Sequence, residues 1–140
     1  MITNEHYYRA LNIMDRVEEI RLEKNIKKTD IGKELSYTKA YYQACYDSCR
    51  TLKVSTLIKL AKAVNISVEY FLTGRNKQEF KSFEFNLDAI KNTKIKYIPN
   101  SLKVIKCRLK KEKAKDITIK TLFEFEEFYK IPAIKLIGGE

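Results

Sequence analysis

Residues 28–47, KTDIGKELSYTKAYYQACYD, decide the fold, and they read as a short helix, a tight turn and a second helix. Ile31 and Leu35 stand four apart on one helical face, and Gly32 between them lets a second helix cross closely. Thr38 is placed to cap the next helix by accepting from an amide of its first turn. Tyr42 and Cys45 then share an inner face, which leaves Lys39, Ala40, Gln43 and Ala44 on the outer one. Those residue types suit the major groove of duplex DNA. Lysine donates to guanine O6 and N7 or to phosphate, glutamine pairs with the adenine edge, and alanine permits close approach to thymine methyls. Helix pairs of this length also occur in bundles that bind nothing, so the flanks have to decide.

Three stretches carry the flanks: RVEEIRLEKNI (16–26), KKTDIGKELSYTKAYYQAC (27–45) and STLIKLAKAVNISVEYFL (55–72). Together, without a gap over residues 16–72, they resemble the phage repressor and Cro type of helix-turn-helix domain, also called the xenobiotic-response-element type. The third stretch is the most specific, because in that family an apolar helix of pattern T-L-x-K-L-A-K-A, a turn and a last short helix form the floor under the reading pair. The resemblance implies a five-helix domain, transcriptional control, most often repression, and binding as a homodimer to double-stranded DNA. On this sequence the DNA-contacting residues are then Lys28, Thr29, Thr38, Lys39, Ala40, Tyr41, Gln43 and Ala44, with Arg50 and Lys53 of the following loop on phosphate. Simple solvation is the other reading of that loop. Lys28 stands where the family usually has glutamine, Gly32 where it has alanine and Ser36 where it has glycine, so no relative's operator can be transferred.

Composition agrees with this reading. The chain of 140 residues has 28 lysines and arginines against 18 acids, a net +10 that favours a polyanionic partner through counterion release. No apolar run approaches the roughly 20 residues of a bilayer span, and no signal-peptide pattern opens the chain, so no membrane is expected and a cytoplasmic protein is. The three cysteines include no CxxC pair, and His6 is the sole histidine. No cofactor, metal site or catalytic constellation is therefore expected, and an enzyme acting on nucleic acid lacks its metal-holding cluster. Cys45 reads as buried and Cys49 as part of the loop.

Along the chain, Tyr7, Leu11, Met14, Val17 and Ile20 form a helical stripe, either one long helix or an arm followed by the domain's first helix. Ser55 is placed to cap a helix with apolar Leu57, Ile58, Leu60, Ala61 and Val64, and Ser67 to cap a short one ending at Leu72. The first domain covers 1–74, a polar linker 75–81, and a second helical domain 82–140. There Phe83, Phe85, Leu87 and Ile90 read as helix with room for a brief extended piece, and Leu102, Ile105 and Leu109 as a helix capped by Asn100 or Ser101. Thr118 opens another helix through Leu122, Phe125 and Phe128, and Pro132 suits the first turn of a final one.

An offset of 65 residues lays TLIKLAKAVNISVEYFLTG (56–74) over TLFEFEEFYKIPAIKLIGG (121–139) without a gap. Nine pairs are apolar in both stretches, against about four from composition alone, which implies that the second half is a smaller, degenerate copy of the first. Residues 103–115 carry seven basic residues and one acid, Glu112. Lys103, Lys106, Arg108, Lys110, Lys111 and Lys113 are candidate phosphate contacts, with Val104, Ile105, Cys107 and Leu109 burying the opposite face; a solvated face is the alternative. The reading is thus an all-α DNA-binding regulator. The alternative from another class is a protein interaction or oligomerisation module that uses the same helices without reading DNA.

Overall fold

In the computed structural model, which describes residues 4–34, 52–93 and 97–139, the N-terminal stripe is one helix, α1 (Asn4–Glu23). Ile13, Met14, Val17 and Ile20 are fully buried along it, while the side chains of Tyr7 and Leu11 lie outside the described residues. A left-handed Asn25 ends the run, and the Arg21 guanidinium, paired with Glu18, donates to the Ile26 carbonyl at 2.9 Å. That bond fixes the turn into α2 (Lys28–Glu34), whose Ile31 is buried.

The apolar face expected after Ser55 forms α3 (Val54–Val64), with Leu57, Leu60, Ala61 and Val64 buried. It begins two residues earlier than expected. Lys53 occupies the N-cap position without a side-chain bond, and the capping oxygens come from Asp116, which accepts from the Ser55 hydroxyl and, at 3.4 Å, from its amide. Asn65 stops α3 in the left-handed conformation, and α4 (Val68–Thr73) follows. Ser67 stands at its N-cap, but its hydroxyl donates to the Asn76 carbonyl instead of capping.

Residues 75–79 are exposed and irregular. Beyond them the brief extended piece is β1 (Glu84–Phe85), followed by α5 (Asp88–Asn92), α6 (Asn100–Lys110), α7 (Ile119–Tyr129), α8 (Ala133–Leu136) and β2 (Gly138–Gly139). β1 and β2 pair antiparallel, Glu84 with Gly139 and Phe85 with Gly138. The described chain is mostly helical, in keeping with the all-α class, and this two-residue pair is the departure from it. No helix among the described residues is long and apolar enough to cross a membrane.

Both halves feed one buried apolar cluster. α1 packs on α3, α4 and α7, and α4 packs on α8, so the segment 75–81 joins two parts of a shared core. Polar contacts follow the same seam. The Arg9 guanidinium lies 3.8 Å over the Phe123 ring and pairs with Glu126 at 2.8 Å. The chain entering α3 meets the chain entering α7: the Val54 amide donates to the Ile117 carbonyl at 2.9 Å, and the Ile119 amide donates to the Leu52 carbonyl at 2.8 Å. Lys53 and Thr118 are the paired residues of this antiparallel bridge. Lys53 and Thr118 are 65 positions apart, as are the donors Val54 and Ile119 and the acceptors Leu52 and Ile117, and such an exchange of two bonds is what a local two-fold axis produces.

Candidate nucleic-acid interface

Thr38, Lys39, Ala40, Tyr41, Gln43, Ala44 and Arg50 lie outside the described residues, as do Leu35, Tyr42, Cys45 and Cys49. Of the first half's expected contacts, Lys28, Thr29 and Lys53 are described. Lys28 and Thr29 open α2 and, with Arg21 and Lys27, line a hollow of about 420 Å³. Lys53 is exposed, its backbone held in the bridge to Thr118 while its side chain faces solvent.

The basic run of the second half is built on α6. Pro99 stands before its first residue with φ −56°, which suits the entry to a helix, so neither Asn100 nor Ser101 caps it. Leu102 and Leu109, two turns apart, are fully buried, and Ile105 between them is half-buried. These three residues set the rotation of the helix. Val104 and Cys107, expected to be buried with them, are instead turned outward; Val104 is 59% exposed. At 100° per residue both fall on the side opposite the Leu102–Leu109 line, so their apolar character does not override the leucines.

The same rotation sorts the cations. Lys103, Arg108, Lys110 and Lys111 are exposed, and Lys113 joins them after a left-handed Glu112 turns the chain. None of these five forms an ion pair among the described residues. Lys106 differs. Its ammonium donates to the Thr93 carbonyl and lies 5.7 Å from the Tyr129 ring, so it is occupied inside the fold. Burial, and secondarily the charge of Lys110, hold its pKa below the usual lysine value. Burial likewise raises that of Tyr129, whose hydroxyl donates to the Ile90 carbonyl at 3.4 Å.

A second basic hollow, of about 340 Å³ between α1 and α4, is lined by Arg9, Arg16 and Arg75 together with Glu69. Sequence reasoning did not point to it, because its arginines come from separate segments. Two of the three are engaged in packing: Arg9 on Glu126, and Arg16 as donor to the Phe71 carbonyl at 2.8 Å. Among the described residues no group of histidine, cysteine, aspartate and glutamate is placed to hold a metal ion. The arrangement therefore offers a solvent-facing row of fixed positive charge. Comparison with protein-family models, curated proteins and solved structures returned no match.

Proposed function

We propose that this chain is a sequence-specific, DNA-binding transcriptional regulator, acting in the cytoplasm and most often as a repressor, with a second half that is a degenerate copy of its reading domain. The observation that carries the reading is the division of labour on α6 and the turn that follows it. One lysine is turned inward to serve the fold, while Lys103, Arg108, Lys110, Lys111 and Lys113 are left in solvent without carboxylate partners among the described residues. Such a row fits a polyphosphate backbone, where each neutralised phosphate releases counterions. Base reading rests on the outer face of residues 38–44 and on the resemblance of residues 16–72.

The repeat is supported by the coincidence of helix limits. α3 and α7 both run 11 residues, their first residues are 65 apart, and both end in a left-handed residue, Asn65 with φ 56° and Lys130 with φ 57°. Leu60 and Phe125, and Phe71 and Leu136, are matched in sequence and fully buried. The resemblance implies two chains on paired half-sites, but the reciprocal bonds between residues 52–54 and 117–119 favour a second reading, with both members of the pair in one chain.

Selection of bound duplex from a random pool at moderate salt tests the function. A motif preferred over random DNA by about a thousandfold or more is the expected result. A pool with no enriched motif leaves the interaction-module reading in its place.

A further inference from the structure

We infer that a single chain spans the DNA site as an internal two-fold unit, reading bases with its first half and clamping phosphate with its second. This rests on the DNA-binding reading proposed above.

The bridge is the seat of the axis. In a two-fold dimer, residue i of one partner bonds residue j of the other and the reverse bond is also made. Here that exchange runs inside one chain between Val54 and Ile117 and between Ile119 and Leu52, and the two donors, like the two acceptors, stand 65 positions apart. From the bridge, helices of equal length lead away with the same positions buried, Val54 with Ile119 and Leu57 with Leu122. The pairing that a second copy would have to supply is therefore already made.

Exposed positive charge lies on both sides of that axis. Lys53 stands on one side, and on the other Lys113 and Lys115 lie on the chain that leads into Thr118. The acid beside them, Asp116, is engaged in capping α3 through Ser55. In the same half, α6 exposes Lys103, Arg108 and Lys110, and Lys111 follows at its end. Duplex DNA has local two-fold symmetry, so paired faces of this kind engage it from one side over successive turns. The two faces are chemically unequal. The second carries five lysines, point charges on flexible stems, and one arginine, so it holds phosphate and discriminates bases poorly.

Native mass spectrometry of the full chain on a duplex carrying the selected motif, paired with phosphate-ethylation interference, tests this. One chain per duplex is expected, with a base motif on one flank and phosphate contacts extending past it on the other. The exposed triple substitution Lys103→Gln, Arg108→Gln and Lys111→Gln should erase that second flank and leave the motif intact. It should also flatten the slope of log affinity against log salt by up to about 0.9 for each phosphate no longer neutralised. Two chains per motif would overturn the single-chain unit and leave the DNA reading standing. An unchanged footprint and slope in the triple variant would overturn the clamp. Failure to bind any duplex would remove the DNA reading and this inference with it.

Discussion

α3 and α7 leave the same bridge and each stops in a left-handed residue, Asn65 and Lys130, yet their polar ends are solved differently. Thr118 caps its own helix, accepting from the Thr121 amide at 3.2 Å, whereas α3 borrows Asp116 from the other half. At the far end α4 is held to α1 by Arg16, and α8 runs into β2, which pairs with β1. Six of the nine matched apolar pairs, Leu57 with Leu122 and Leu60 with Phe125 among them, are buried in both halves through all of this, while Phe128, matched to Ala63, is exposed. A core tolerates only residues that fill it, while an exposed or half-exposed helix end needs some oxygen or amide and accepts it from any direction.

The largest effects should come from the matched core. Phe125→Ala should cost about 3 to 5 kcal/mol and Leu60→Ala about 2 to 5, since both side chains are fully buried. Because both belong to one cluster, each should shift a single cooperative transition followed by circular dichroism. Two separate transitions, with each substitution moving only its own, would show that the halves fold independently.

Next come the glycines that close the two halves. A Cβ on Gly138, at φ 107°, would lie 2.2 Å from the Glu84 carbonyl oxygen, so the strand pair must part. A Cβ on Gly74, at φ 75°, would meet the Arg16 guanidinium at 3.2 Å, the far end of a flexible side chain. Gly138→Ala should therefore cost roughly 3 kcal/mol and Gly74→Ala about 1. Equal losses in urea unfolding would mean that β1 yields as readily as an arginine does.

Periodicity made α3, α6 and α7 legible, because Leu57, Leu60 and Val64, or Leu102, Ile105 and Leu109, repeat at helical steps. The 65-residue offset comes from apolar pairs in the sequence, and the limits of α3 and α7 fall at the same spacing. The bridge was not. Its bonds are backbone bonds, and residues 52–54 and 117–119 carry no side-chain pattern that announces them. Val104, Cys107 and Lys106 were misplaced for a different reason: in a run where bases and apolar residues alternate, several rotations look acceptable. Buried Leu102 and Leu109 choose one, and the Thr93 carbonyl then takes Lys106 inward. The outer face of 38–44 remains a sequence reading, as those residues lie outside the described ones.

The unequal caps give a smaller effect with a distinctive signature. Asp116→Ala and Thr118→Ala should each cost about 1 kcal/mol, the usual worth of an N-cap. Ser55→Ala should then couple to Asp116→Ala, since both remove the same bond, and should add independently to Thr118→Ala. Coupling with Thr118 instead would place the α3 cap elsewhere.

The smallest change separates Lys106 from its outward neighbours. Lys106→Gln removes a bond to a carbonyl and an approach to a ring, a loss of about 0.5 to 1.5 kcal/mol, yet it should leave the salt slope of DNA binding where it was. Lys110→Gln should do the reverse, flattening the slope with little cost in stability. A pH series distinguishes them further. With its folded-state pKa below 10.5, Lys106 gives up its proton in the native chain while the unfolded chain still holds it. Stability should therefore gain as pH rises through that window, and Lys106→Gln should abolish the gain. Lys110→Gln removes the secondary cause of the shift, so the window should narrow without closing, because burial is the larger cause. If Lys106→Gln instead flattens the salt slope as much as Lys110→Gln, its ammonium reaches phosphate when DNA binds, and the inward bond to Thr93 must break in the complex.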